Sequence, residues 1–84
     1  MSTNQPDGRT WTIRSGADFG RAIADVRTIR GLTQEALAER SGTPRTYLAR
    51  IETGMTVAMI DRILRILRRM GAEVAVSLRN GDAS

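Results

Sequence analysis

The sequence predicts a mainly α-helical domain, a bundle of four to five short helices followed by one short C-terminal β-strand. Three patterns predict it. Apolar residues recur at spacings of three and four through most of the chain, Gly42 sits between two threonine-led segments near its middle, and Glu73 to Leu78 alternate between polar and apolar types. The expected organisation is an N-terminal arm over 1–14, a helical domain over 15–71, a strand over 72–79 and a tail over 80–84.

Met1 to Arg9 has almost no apolar residue and contains Pro6, Asp7 and Gly8, which predicts a flexible arm. Trp11 and Ile13 then alternate with threonines. This is a weak strand signal, better read as an extended segment that anchors its tryptophan on the first helix; Arg9 and Arg14 also leave room for a minor-groove arm. Ser15 caps a first helix in which Phe19, Ala22, Ile23, Val26 and Ile29 form one apolar face, ended by Gly31.

A second helix starts after the cap Thr33, with Glu35 in its first turn, and ends at Gly42, where the chain must reverse. Thr43 is expected to cap a third helix with Pro44 at its first position. Pro44, Tyr47, Leu48 and Ile51 fall at helical spacing on an inward face over Leu37, and Ala38 leaves room for one helix to cross the next. Arg45, Thr46, Ala49 and Arg50 are left pointing outward. Two short helices around a glycine turn present the second to a DNA groove, and the outward set suits a major groove, with guanidinium forks for guanine edges, a hydroxyl, and a small residue for close approach. Solvated charge is the plain alternative for Arg45 and Arg50, an exposed first-turn position for Gln34, and a core edge for Tyr47.

A fourth helix follows Gly54, capped by Thr56 and ended by Gly71. Its apolar face is too wide for one contact. A stripe through Ile60, Leu64 and Leu67 serves the core, which leaves Met59, Ile63, Ile66 and Met70 for a subunit interface. Arg62, Arg65, Arg68 and Arg69 lie opposite, as a solvated face or a site for nucleic acid or an acidic partner. In the terminal strand Val74, Val76 and Leu78 share one side. A lone strand is unstable, so its expected partner is the same strand of a second copy across a two-fold axis, with the Trp11 segment as the intramolecular competitor.

Composition narrows the function. All thirteen basic residues are arginine and the net charge is +4, which favours phosphate and bidentate contacts, although the lack of lysine also fits a coding bias. Without cysteine or histidine there is no sulfur or imidazole metal site, no disulfide and no histidine-based triad. The carboxylates are scattered among arginines, so neither an enzyme nor a cofactor is expected. No apolar run approaches a membrane span, and the expected location is cytoplasmic.

Thr-Gln-Glu-Ala-Leu-Ala from Thr33, Ser-Gly-Thr from Ser41 and Ile-Glu-Thr-Gly from Ile51 resemble the helix-turn-helix family of phage Cro and repressor proteins, the Xre family, with its lambda-repressor-like fold. Position by position, the resemblance implies that Gln34 and Thr43 meet phosphates, that Arg45, Thr46 and Arg50 reach bases, and that Tyr47 lies at the border. It also implies an internal ion pair between Arg27 and Glu52. A helix-turn-helix followed at once by a terminal strand is similar to HipB-like antitoxins, which implies a homodimer that represses its own operon and binds a HipA-like kinase toxin. Only five residues follow Arg79, so a toxin would have to grip the folded body. A free-standing Xre-family regulator, a HigA-like antitoxin and a protein-interaction adaptor are the competing expectations.

Overall fold

The computed structural model describes residues 9–54 and 58–79. In chain order the elements are β1 (Arg9–Ile13), α1 (Gly16–Ile29), α2 (Gln34–Ser41), α3 (Arg45–Glu52), α4 (Ala58–Arg69) and β2 (Val74–Leu78). The expected cap at Thr56, the arm before Arg9 and the tail after Arg79 lie outside the described residues.

Local chemistry sets most boundaries. Ser15 is extended and its hydroxyl accepts from the Asp18 N–H, while the Asp18 carboxylate reaches back to the Arg14 N–H at 2.8 Å. The Gly16 N–H is met from afar, by Asp61 Oδ1 of α4 at 2.7 Å. Thr33 caps α2 through the Ala36 N–H at 3.0 Å. At the other end Gly42 takes φ 67°, a left-handed turn, and the next N–H, that of Thr43, returns to the Ala38 carbonyl at 3.0 Å. The same closing bond ends α1, from Leu32 to Arg27, and α4, from Ala72 to Leu67.

The start of α3 departs from expectation. Thr43 does not cap it; Pro44 occupies that place with ψ 139°, no side chain caps the helix, and the Pro44 carbonyl accepts the first helical bond, from Leu48. The cause is the turn itself. Because the Thr43 N–H closes α2, the chain needs one more extended residue before helical geometry resumes.

The strand's partner is also a correction. β2 pairs antiparallel with β1 in the same chain, with Trp11 opposite Val76 and Ile13 opposite Val74. Val74 and Val76, expected at a subunit interface, instead pack on the chain's own core of Ile13, Ala22 and Leu64, together with Trp11, Phe19 and Ile60. Leu78 is half-buried opposite Arg9. Thr10 and Thr12, alternating with Trp11 and Ile13, hid this pairing, yet they are exposed, where a two-stranded sheet needs an outer face. Trp11 is at once a strand residue and an anchor, its indole N–H donating to Asp25 of α1 at 2.8 Å.

A second small core holds α2 and α3, with Ala38 and Leu48 buried. There α1 meets α3 at Gly20. A Cβ on Gly20 would stand 1.9 Å from the Ile51 carbonyl oxygen, so only glycine lets the two backbones approach this closely.

Candidate nucleic-acid interface

Helix α3 buries a narrow stripe, with Leu48 buried and Ile51 half-buried, and turns most of the rest outward. Arg45, Thr46 and Arg50 are exposed, and neither arginine forms an ion pair among the described residues. Ala49 is half-buried at the edge of this face. Pro44 and Tyr47, expected inward, are exposed, Tyr47 by 55 %. An eight-residue helix brought to backbone contact with α1 has no space beneath it for an aromatic ring, so Tyr47 joins the outward set. Thr43 is half-buried in a polar crevice of about 380 Å³ that it shares with Glu35, Ala38, Glu39 and Arg45.

What holds α3 at its angle is one carboxylate. Arg27 Nε donates to Glu52 Oε2 at 2.8 Å and Arg27 Nη2 to Oε1 at 3.0 Å, a bidentate pair, while Arg27 Nη1 donates to the Leu32 carbonyl at 2.8 Å. Gln34, the first residue of α2, donates its Nε2 to the same Glu52 Oε1 at 3.0 Å. Glu52 thus ties the end of α3 to α1 and to the start of α2. The Glu52 side chain is only 6 % exposed, and its hydrogen bonds from Arg27 outweigh burial, so its carboxyl is held below the usual carboxylate range, with Gln34 adding to the effect. The same bonds raise the Arg27 guanidinium, which stays charged.

The Gln34 amide is therefore committed at least in part to the protein interior, which sequence spacing does not reveal. Eighteen residues separate it from Glu52, and no local period links them. Gly20 and Asp61 are further positioning residues that the sequence leaves unmarked, since each acts across a long loop in the chain. Beyond this site, Met59, Ile63, Ile66 and Met70 lie open on α4, exposed by 46 to 69 %. Arg62, Arg65 and Arg69 are without a side-chain partner among the described residues, whereas Arg68 donates to the Arg14 carbonyl at 2.6 Å. No helix among them is long and apolar enough to cross a membrane.

A helix pair joined by a left-handed glycine, its second member braced from behind and open in front, defines a helix-turn-helix protein of the DNA-binding type. Comparison with known proteins agrees. The helix-turn-helix family model matches residues 23–76, most of the chain, and the chain belongs to that family. It is also similar to an uncharacterized HTH-type transcriptional regulator, y4mF, of Sinorhizobium fredii (strain NBRC 101917 / NGR234), 28% identical over 64 residues that cover 76% of this chain and 84% of the relative. No solved structure matches the chain.

Proposed function

We propose that this protein is a sequence-specific transcriptional repressor that binds a palindromic operator as a homodimer and serves as the antitoxin of a HipBA-like operon, neutralising a kinase toxin. One observation carries the DNA reading: the outer face of α3, with Arg45, Thr46 and Arg50, is covered by no other part of the described chain. The likeness to a protein named as a transcriptional regulator supports it. Arg45, Thr46 and Arg50 read bases, Ala49 admits close approach, and Gln34, Thr43 and Tyr47 serve the phosphates on either side. Gln34 has a second amide hydrogen for that purpose while the first is held by Glu52.

Two such helices set about 34 to 36 Å apart, one turn of the duplex, would read two half-sites. The open stripe of α4 supports a dimer. The antitoxin role rests on the order of elements, a helix-turn-helix followed at once by a terminal strand.

The test is a mobility-shift titration on the DNA upstream of the gene against a random duplex, with Arg45→Ala and Arg50→Ala beside the parent. Preferential binding by the parent and loss of preference in both variants is expected. Equal binding to both duplexes by the parent would refute the repressor reading. Copurification of the product of a neighbouring kinase-like gene tests the antitoxin role, and its absence from the complex would leave a free-standing regulator.

A further inference from the structure

The helix α4 and the later turns of α1 leave two unfilled apolar surfaces, one convex and one concave, on the same side of the molecule. The convex one is the stripe of Met59, Ile63, Ile66 and Met70. The concave one is a groove of about 280 Å³ with an almost wholly apolar lining, formed by Phe19, Ile23, Val26, Leu32, Leu37 and Val76.

Their relative placement follows from the hydrogen bonds of α4. Asp61 accepts from the Gly16 N–H and Arg68 donates to the Arg14 carbonyl, so one flank of α4 faces the start of α1. At about 100° per residue the stripe lies roughly half a turn away, on the other flank. Between them Leu64 packs on Ala22, so α1 enters on the first flank, passes beneath α4 and emerges on the flank that carries the stripe. There Ile23 and Val26 open into the groove.

We propose that the two surfaces fill each other between copies: in the homodimer the stripe of each α4 inserts into the groove of its partner. A two-fold axis makes one contact into two identical ones and covers both surfaces of each copy at once. The thin core of the lone chain points to the same occupant. Among the described residues the buried hydrophobic side chains are few, Ile13, Ala22, Ala38, Leu48 and Leu64, as expected of a small domain that completes its core with a second subunit. The exchange also has a consequence for the DNA-reading unit. Leu37 belongs to α2, so the partner's side chains would press directly on the helix pair that carries the site.

This inference rests on the homodimer reading above, and the experiment separates the two. Sedimentation equilibrium is measured for the parent, for a stripe variant (Ile63→Glu with Ile66→Glu), for a groove variant (Val26→Glu), and for an equimolar mixture of the variants, with helical circular dichroism as the check of folding. Each variant alone is expected to self-associate at least about tenfold more weakly than the parent. The mixture should recover dimer, because one intact stripe then meets one intact groove. A groove variant that dimerises like the parent, or a mixture that recovers nothing, overturns the exchange while leaving the dimer standing; a monomeric parent overturns both.

Should Val26→Glu fail to fold, the absence of native cysteine gives a second route. Copies carrying Ile66→Cys and Val26→Cys, joined by a short bismaleimide, should cross-link in mixture and far less when either is alone. Cross-linking of Ile66→Cys copies to one another, with no gain on mixing, overturns the exchange.

Discussion

At Arg45 and Arg50 the proposed function comes down to single side chains. A bidentate arginine to guanine contact discriminates by about 1 to 3 kcal/mol, so replacing either with alanine should lower the ratio of operator to random-DNA affinity by about 5- to 150-fold. The reading fails if the loss is the same on both duplexes. Glu52 gives a prediction about pH. Its carboxyl is lowered in the folded state, so the stabilisation it provides is present above the ordinary carboxylate value and is lost as pH falls through the folded one. Thermal melts should show the parent losing its advantage over Glu52→Gln on acidification, with the two converging at low pH. Near neutrality the variant leaves Arg27 without its counter-charge at a site where both partners are largely buried, at a cost of about 3 kcal/mol. The Arg27–Glu52 partnership is implied by family resemblance, whereas the Gln34 bond to the same carboxylate is invisible in the sequence, because a contact between helix ends has no sequence period.

Two elements separate what the sequence settles from what it does not. Thr33 and Thr43 look alike as caps, but only Thr33 accepts a helical N–H. Thr33→Ala should therefore lower stability by about 1 kcal/mol in a denaturant titration, and Thr43→Ala by much less. An equal loss at both would place a cap where none is found. The second case is the crossing of α1 and α3. Gly20→Ala puts a methyl into the Ile51 carbonyl, so α3 must shift; a loss of about 1 to 3 kcal/mol, with weakened DNA binding, is expected. The sequence points to a close crossing at Ala38, within the helix pair it marks with caps and a glycine, and carries no signal for the crossing at a glycine inside α1.

For the molecule as a whole, DNA affinity should fall with salt, the slope of log K against log salt growing by about 0.9 for each phosphate neutralised. An affinity insensitive to salt would be inconsistent with a phosphate-contacting arginine surface. The amino-acid sequence by itself determined the helix pair, both boundaries of its first member, the two faces of α4 and the alternation of β2, because caps, glycine turns and periodicity act over a few neighbouring residues. Tertiary structure decided the partner of β2, the side on which Tyr47 lies, the crossing at Gly20 and the meeting of Arg27, Gln34 and Glu52. Each of these depends on which distant backbones come together, and that is fixed by packing across the whole chain rather than by any local preference.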